Sequence, residues 1–328
     1  MADFVKLIDL AQERFSGRAV ACSDDFFAPM QAMLHPGRGD FIVGKYTDNG
    51  KWMDGWESRR RRDSGHDWCI VKLGAPGTVR GVDIDCNHFL GNAPKNCRVE
   101  GARIVGYRTA ASLSAADVKW TELLADSPTQ PGAQNLYGVT DEGTYTHVRL
   151  HIYPDGGVAR FRVYGEVRPD WDLLNAEHKV LDLAAAEHGG VSVAASDEFF
   201  SDKRNLIMPG GSTHMGDGWE SKRRRGPGHD WVVVRLGRTG SLRRVVIDTS
   251  HFKGNFPDSC ELEGTSDAAM DPAALTGWRT LVPKTKLEAN TLHELPIPDR
   301  EAVKHVRLHI YPDGGIARMR VYGEVLGA

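Results

Sequence analysis

The sequence lacks several features that would assign it to a class of protein at once. It has five cysteines, an odd number without a Cys-x-x-Cys pair, so neither a disulfide framework nor a zinc knuckle is indicated. No apolar run approaches the roughly 18 residues of a membrane-spanning helix. The N-terminus has neither the basic start nor the apolar stretch of a secretory signal. We therefore expect a cytoplasmic protein with no membrane partner.

An excess of positive charge is also missing. The 41 Lys and Arg residues are outnumbered by 44 Asp and Glu residues, and the formal net charge is −3. A polyanion binder needs cations to neutralise phosphates, and the short arginine run at 59–62 is flanked by acids, so no nucleic-acid partner is predicted. The sequence also has no Gly-Lys-Ser/Thr phosphate loop and no Gly-x-Ser-x-Gly nucleophile motif.

What the sequence does contain is an internal repeat. The segment Asp-Gly-Trp-Glu-Ser at 54–58 returns at 217–221, and the segment 147–167 returns at 305–325 with only two substitutions. Such self-similarity is the signature of a duplicated domain. Repeat one carries ten extra residues between Ala28 and Met53, which predicts a surface loop.

The length of 328 residues suits two domains of about 160 residues each. Arg168-Pro169-Asp170 is a polar connection broken by proline. We therefore place the boundary after Val167, which gives a first domain at 1–167 and a second at 168–328.

Hydrophobic periodicity indicates a fold rich in strands. At 147–153, Val148, Leu150 and Ile152 alternate with His, Arg and Tyr, which is typical of a strand with one buried face. Further strands are predicted at 69–73, 82–86, 232–236 and 245–249, and helices only at 4–15 and 173–187. The pattern predicts an all-β protein, a tandem repeat of two jelly-roll β-sandwich domains with minor helices.

Histidines are duplicated together with the repeat. Eight of the thirteen form four pairs: His66 with His229, His88 with His251, His147 with His305, and His151 with His309. A duplicated histidine can simply satisfy a buried hydrogen bond, and that structural reading stays open for every pair.

The residues next to these histidines in the sequence favour a chemical role. The loops at 56–68 and 219–231 each combine a Glu, basic residues and a Gly-His-Asp-Trp motif, and Arg59 of the first is replaced by Lys222 in the second. The motifs at 88–94 and 251–257 place a His and an Asn after predicted strands, where binding clefts often form.

A metal site is not required by any ligand spacing. His147 and His151 share a strand face but are separated by roughly 13 Å, since a strand rises about 3.3 Å per residue. They therefore cannot bind one ion together. A site assembled from different loops, such as His66, His88 and Asp67, stays open. No cofactor is predicted, and a divalent metal is not excluded.

The motifs Asp-Gly-Trp-Glu-Ser, Gly-His-Asp-Trp, His-Phe-x-Gly-Asn-x-Pro and His-Ile-Tyr-Pro-Asp-Gly-Gly-x-Ala-Arg occur in both halves. Over essentially its full length the chain resembles the allantoicase family. The resemblance implies galactose-binding-like jelly-roll domains and assembly into a homo-oligomer. It also implies a hydrolase of purine and allantoin degradation, which cleaves allantoate to (S)-ureidoglycolate and urea.

That reaction breaks a carbon–nitrogen bond of an aminal and needs an anion clamp and a proton carrier. We expect proton transfer by His66 with Asp67 and by His229 with Asp230, with His88 and His251 as alternatives. The substrate-binding positions are predicted to be Glu57, Arg59, Asn92, His151, Arg160, Glu220, Lys222, Asn255, His309 and Arg318. Among them the arginines would clamp the carboxylate, and the two glutamates would hold ureido N–H groups. Whether one or both repeats hold a site stays open.

Two other functions are compatible with these features. One is a non-catalytic module of the galactose-binding-like fold that binds a carbohydrate or a small anion. The other is a ureide hydrolase that attacks the ureido carbonyl and releases ammonia and carbon dioxide, for which we expect a metal centre. The identity of the nitrogen product separates this second alternative from urea release.

Overall fold

A computed structural model of the protein describes residues 2–106, 108–113 and 117–326. The chain divides into two compact units, Met1–Arg168 and Pro169–Ala328. Within the described residues, no helix has the length and apolar character needed to cross a membrane.

Among its described residues, the first unit contains twelve strands and one short α-helix. The strands are β1 (Ile8–Asp9), β2 (Arg18–Cys22), β3 (Tyr46–Thr47), β4 (Gly50–Lys51), β5 (Trp56–Glu57), β6 (Asp67–Asp85), β7 (Asn96–Ala102), β8 (Thr121–Pro128), β9 (Gln134–Gly138), β10 (Tyr145–Tyr153), β11 (Gly157–Val158) and β12 (Arg160–Val167). The helix α1 covers Ala110–Leu113, and 3₁₀ turns cover Asp3–Lys6, Glu13–Phe15 and Met30–Leu34.

Over its described residues 169–326, the second unit repeats this order without the hairpin β3–β4. It begins with helix α2 (Trp171–Glu177) and continues with β13 (Leu181–Asp182), β14 (Val191–Ala195), β15 (Trp219–Glu220), β16 (Asp230–Asp248), β17 (Ser259–Thr265), β18 (Arg279–Lys286), β19 (Leu292–Pro296), β20 (Ala302–Tyr311), β21 (Gly315–Ile316) and β22 (Arg318–Val325). Its 3₁₀ turns cover Ala186–His188, Lys203–Ile207, Met215–Asp217 and Pro272–Ala274.

One long strand organises each unit. The first part of β6 pairs with β2 and β10, and its last part, 81–85, pairs with β9 and β12. The predicted strands at 69–73 and 82–86 are therefore two parts of one strand, and the same holds for 232–236 and 245–249 within β16. The sequence obscured this continuity because Gly74, Pro76 and Gly77 interrupt the pattern.

The glycine in the middle of that strand permits a close approach of two backbones. A Cβ atom on Gly74 would lie 1.7 Å from the carbonyl oxygen of Phe15, and one on Gly237 would lie 2.0 Å from that of His188. Only glycine fits such a contact. The strand is thus held against the N-terminal segment of its own unit at equivalent places in both repeats.

The predicted all-β tandem architecture is confirmed. Each unit has one eight-stranded sheet, and the two sheets follow the same strand order. Val148, Leu150 and Ile152 are fully buried, as their alternation predicted. The segment inserted between Ala28 and Met53 begins with a buried 3₁₀ turn and continues as an exposed loop with the small hairpin β3–β4.

The helix predicted at 4–15 is wrong. The segment contains two 3₁₀ turns and the strand β1 between them. Asp9 explains the difference, because its carboxylate accepts hydrogen bonds from the backbone N–H groups of Ala11, at 3.1 Å, and Val163, at 3.0 Å. A side chain that bonds nearby backbone groups competes with a helix.

The helix predicted at 173–187 is confirmed only over its first part. Asp170 caps α2 by accepting a hydrogen bond from the N–H of Leu173 at 3.1 Å, and the helix ends at Glu177. Leu181 and Asp182 then form a strand against β22. Tertiary pairing outweighs the local helical pattern here.

Candidate functional site

The loop that follows β5 is fixed to the turn that follows β10. Ser58 donates its backbone N–H to the carbonyl of Gly156 at 3.1 Å. The N–H of Arg61 binds the Asp155 carboxylate at 2.8 Å. The N–H of Asp67 binds the carbonyl of Pro154 at 3.1 Å. These bonds place the Gly-His-Asp motif beside the end of β10, where His151 and Tyr153 lie.

His66 and His151 form the centre of the site. Nε2 of His66 lies 2.9 Å from Nδ1 of His151, and Nε2 of His151 lies 2.8 Å from a carboxylate oxygen of Glu100 on β7. The ring of His66 also stacks on Tyr153, with 4.5 Å between ring centroids. The structure thus brings together two of the predicted site residues and adds a glutamate that the sequence did not indicate.

The charge of Glu100 and of His151 determines which ring nitrogen of each histidine carries the proton. Burial would raise the pKa of Glu100, but hydrogen bonds from His151 and Arg149 outweigh it and lower that pKa, so the carboxylate is ionised and only accepts. Burial lowers the pKa of His151 to about 4, so its ring is neutral near pH 7. His151 must then carry its proton on Nε2 and accept on Nδ1.

His66 is consequently oriented as a base. Its Nε2 donates to His151, which leaves the lone pair on Nδ1. Burial, followed by the nearby charges of Arg61 and Arg98, lowers the pKa of His66, so this ring is also neutral near pH 7. An imidazole whose tautomer is fixed by a second group and a carboxylate is an arrangement suited to proton transfer.

Arg149 holds Glu100 in place. Its Nε donates to the carboxylate at 2.8 Å, and its guanidinium group lies 4.4 Å from the ring centroid of Trp120. Sequence reasoning missed Glu100. The repeat itself could have indicated Glu100, because the glutamate in Val99-Glu100-Gly101 recurs in Leu262-Glu263-Gly264.

The second unit contains the same chain of hydrogen bonds. Nε2 of His229 lies 2.8 Å from Nδ1 of His309, and Nε2 of His309 lies 2.8 Å from Glu263. Arg307 binds that carboxylate at 2.9 Å through Nε. We name these sets of residues the first His relay (His66, His151, Glu100) and the second His relay (His229, His309, Glu263).

The aspartates that follow the relay histidines serve the loop. Asp67 accepts hydrogen bonds from the hydroxyl of Ser23 at 2.8 Å and from Nε of Arg61 at 3.0 Å. Asp230 accepts the corresponding bonds from Ser196, at 3.0 Å, and from Arg224. Among the described residues, the carboxylate that orients each relay therefore comes from β7 or β17 and not from the neighbouring aspartate.

His88 and His251 lie in turns after the long strands and have left-handed φ angles of 67° and 71°. The exposed ring of His88 lies 5.6 Å from that of Phe41. Nε2 of His251 lies 2.9 Å from the carbonyl of Ser212. The structure does not bring either histidine into hydrogen-bonding contact with a relay.

The predicted Glu and Asn positions meet beside the turn after β10 or β20. Nδ2 of Asn92 donates to Glu57 at 2.6 Å, and Asn255 donates to Glu220 at 2.6 Å. Burial raises the pKa of Glu57, partly opposed by the bond from Asn92. In the second unit Glu220 and Asn255 line a cavity of about 480 Å³. The described lining residues of this cavity also include Arg223 but not His229.

Arg59 and Lys222 are exposed and differ in their contacts. Arg59 forms an ion pair with Asp24 at 2.6 Å and lies over the ring of Phe26. Lys222 lies over the ring of Phe199, and its backbone N–H binds Asp197 at 2.6 Å.

Arg160 and Arg318 are buried and bind loop segments of their own units. Arg160 forms an ion pair with Asp54 at 2.6 Å and donates to the carbonyl of Asp54 at 3.2 Å. Arg318 forms an ion pair with Asp217 at 3.2 Å and donates to the carbonyl of Gly210 at 3.3 Å. Most of their N–H groups are used in fixing backbone.

The candidate metal ligands do not form a cluster. Across residues 2–106, 108–113 and 117–326, no group of three or more His, Cys, Asp or Glu side chains is arranged to hold a metal ion. The sequence left open a metal site built from His66, His88 and Asp67. In the structure each of these side chains instead contacts a different partner: His151, Phe41 and Arg61.

Comparison with known proteins places both units in one family. The family model described as an allantoicase repeat matches residues 8–168 and 181–326. A probable allantoicase from Photobacterium profundum is 44% identical over 98% of this chain and 97% of its own length. A probable allantoicase from Pseudomonas syringae is 41% identical over 99% of this chain and 98% of its own length.

A solved structure gives the same result for the fold. The crystal structure of allantoicase from Saccharomyces cerevisiae is 34% identical, superimposes with a TM-score of 0.82, and covers 97% of this chain and 93% of its own. Sequence and structure agree over nearly the full length of both chains, and both repeats are matched. The chain belongs to the allantoicase family.

Proposed function

We propose that this protein is an allantoicase, a hydrolase that releases urea from allantoate and leaves ureidoglycolate, and that a His relay carries the protons. The observation that supports the proton carrier is the ordered chain from Glu100 through His151 to His66, with 2.8 Å and 2.9 Å contacts. This chain leaves a neutral imidazole with a lone pair on Nδ1. Family membership of the whole chain supports the reaction.

Allantoate carries a carboxylate and two ureido groups on one carbon. In the first step, Nδ1 of His66 removes the N–H proton of the ureido group that stays on the carbon. That nitrogen forms a C=N bond while the bond from carbon to the other ureido nitrogen breaks. The leaving nitrogen keeps the electron pair of the broken bond and takes the proton from His66, which releases urea.

The second step adds water to the C=N bond. His66, again neutral, takes a proton from water while the oxygen bonds to the carbon. The imidazolium then gives this proton to the imine nitrogen, which completes ureidoglycolate. One histidine thus serves twice as base and twice as acid, and a neutral ring near pH 7 starts each step in the required form.

The ureido groups need hydrogen-bond partners, and Glu57 with Asn92 is the proposed pair in the first unit. Asn92 occupies only one carboxylate oxygen of Glu57. The second oxygen is available to accept N–H groups, as a carboxylate accepts several hydrogen bonds. Glu220 and Asn255 have the same geometry. We assign Arg160 and Arg318 to holding the loops in place and not to the anion clamp. Most of their N–H groups already donate to backbone carbonyls and cannot also bind the substrate carboxylate.

The experiment is to measure urea and ammonia separately from purified protein supplied with allantoate. The variants are His66→Gln and His229→Gln, with His147→Gln as the control because this histidine is buried on the same strand face but lies outside the relay. We expect direct urea release and a loss of roughly 10²- to 10⁴-fold in kcat for at least one relay variant.

Two results would contradict the proposal in different ways. Ammonia without urea would reject the reaction and favour hydrolysis at the ureido carbonyl. Full turnover by both relay variants would reject the proton carrier but keep the reaction. Melting curves by circular dichroism show that each variant is folded.

We also propose that the protein self-associates into a homo-oligomer, which sedimentation velocity would measure. We further propose that the protein is located in the cytoplasm, which fractionation of the source cells would measure.

A further inference from the structure

The two His relays differ in the charge next to them. In the first unit, Arg98 on β7 is the cross-strand partner of His151. In the second unit, the equivalent partner of His309 is Glu261. Directly opposed residues of an antiparallel pair project from the same face of the sheet, so each charge lies beside its relay.

Arg98 retains hydrogen-bonding capacity. One of its terminal nitrogens binds Glu100. Its Nε lies 4.0 Å from a carboxylate oxygen of Glu122, too far for a hydrogen bond, and is buried without a hydrogen-bond partner among the described residues. A guanidinium group presents five N–H donors in a planar fork, so one bond to Glu100 leaves donors for a second carboxylate. The group also contributes to the field at His66, where it disfavours a second positive charge.

Glu261 has the opposite effect on its surroundings. It accepts a hydrogen bond from the hydroxyl of Tyr311 at 2.8 Å. Burial and this bond raise the pKa of Tyr311 to about 12, so the hydroxyl keeps its proton and donates. A carboxylate at this place repels an anionic substrate. The ring of Tyr311, whose hydroxyl donates to Glu261, packs against His229 with 4.5 Å between the ring centroids.

We infer that the first unit, through Arg98 beside its His relay, binds the carboxylate of the substrate, and that Glu261 prevents the second His relay from doing so. The inference rests on the proposed function, since it names the unit in which that function takes place. Arg98 is a specificity-determining residue here, because it selects an anionic ligand and does not itself move a proton.

The second unit has its own cation near the His relay, Lys284. Its Nζ lies 3.7 Å from the ring centroid of Tyr311. Lys284 is exposed and belongs to β18, one strand further from His309 than Glu261. An exposed ammonium is a hydrated point charge without the planar fork that matches a carboxylate. Burial and nearby positive charges lower the pKa of His229, and the charge of Glu261 acts against that shift. Glu261 is nearer to the relay and less exposed than Lys284, so it outweighs Lys284 at the second relay.

The test uses a fragment of the substrate that cannot react. N-carbamoylglycine has a carboxylate and one ureido group but no second nitrogen on the central carbon, and its amide, N-carbamoylglycinamide, has no charge. Isothermal titration of the full chain is expected to give one site per chain for the acid. Arg98→Gln should weaken binding roughly 10- to 100-fold, Arg98→Lys should weaken it less, and the amide should bind Arg98→Gln and wild type alike.

A substitution in the second repeat should create the carboxylate site that the wild-type second unit lacks. Glu261→Arg should raise the stoichiometry from one site to two. Two sites in the wild-type chain would show that Lys284 replaces Arg98, and that result would overturn the inference. So would unchanged affinity in Arg98→Gln, no second site in folded Glu261→Arg, or no binding by a wild-type chain that still turns over allantoate.

Failure of the inference is separable from failure of the proposed function. Urea release that depends on His66, together with binding that ignores Arg98, would reject the inference alone. Binding that follows Arg98 without any urea release would reject the reaction alone. A rise in KM for Arg98→Gln with a smaller change in kcat supports the binding role, and melting curves exclude misfolding.

Discussion

His66 and His151, 85 positions apart in the chain, share a hydrogen bond of 2.9 Å. His66 belongs to a loop, whereas His151 belongs to the centre of a sheet and is bound to Glu100. The bond therefore transmits the position of a buried carboxylate to an imidazole that is only half-buried. The consequences for activity, pH dependence and stability can each be measured.

Glu100→Gln is expected to lower kcat by on the order of 10²- to 10⁴-fold. An amide in place of the carboxylate can donate to Nε2 of His151, which moves the proton of that ring to Nδ1 and reverses the bond to His66. Steady-state kinetics with allantoate would measure the loss. Wild-type kcat in a folded Glu100→Gln protein would show that the tautomer of His151 does not matter.

On the acid side, kcat/KM should decline only at a pH below the usual pKa of histidine. Burial, then Arg61 and Arg98, lower the pKa of His66 from 6.5, so the neutral base persists to lower pH. kcat/KM should therefore fall only as the pH drops through this lowered pKa. In Arg98→Gln the loss of one cation should move this decline upward, toward 6.5. A decline that does not move would contradict the contribution of Arg98 to the field at His66.

Stability should also depend on pH through two buried histidines. Burial lowers the pKa of His147 and of His151 to about 4. In the unfolded chain both return to about 6.5, so between these values the unfolded state binds more protons. The free energy of unfolding should thus rise with pH through this window and be lost as pH falls, by on the order of 2 kcal/mol for each residue.

Urea denaturation at pH 5 and pH 7.5 would measure this difference. His147→Gln removes one titrating group and should reduce the pH dependence by about its share. A variant that retains the wild-type pH dependence would assign the effect to other groups.

Arg160→Met should destabilise the first unit by about 3–5 kcal/mol, because it leaves the carboxylate of Asp54 and several loop carbonyls without their partner. The matched control is Arg168→Met. Arg168 pairs with Glu166 at the surface, where its side chain is 51% exposed, and its loss should cost less than about 1 kcal/mol. Chemical denaturation would compare the two variants, and equal losses would contradict the distinction.

Glu57→Gln should raise KM for allantoate roughly tenfold, because an amide cannot accept as many ureido N–H groups as a carboxylate. Glu220→Gln is the matched variant in the second repeat. Initial-rate kinetics over a range of substrate concentration would measure KM. Unchanged KM in both variants would remove these glutamates from the binding role.

The sequence was sufficient for the parts of the fold that rest on local pattern and on repetition. Alternation around Leu150 predicted a strand, and the duplicated segments predicted two similar units. The hydrogen bond between Glu100 and His151 was beyond such reasoning, because it depends on the register between β7 and β10, which are 51 positions apart at this contact.

Local pattern also failed where a long-range bond outweighed it. Asp9 was part of a predicted helix, and its bond to the N–H of Val163 instead supports a strand edge 154 positions away. The contrast between Arg98 and Glu261 was visible as a difference between repeats. The sequence could not show what this difference does, because only the strand register places each of these residues opposite a relay histidine.

The long strand β6 and the loop before it should differ in how easily their backbones open. Its residues 69–72 are hydrogen-bonded on both sides, to β2 and to β10, whereas the loop at 58–65 just before it is mostly exposed. Amides of the ladder should exchange with deuterium only when the whole unit unfolds, and those of the loop should exchange by local opening. Local opening of the loop would separate His66 from His151 while the sheet stays intact, so we expect substrate entry to leave the core undisturbed.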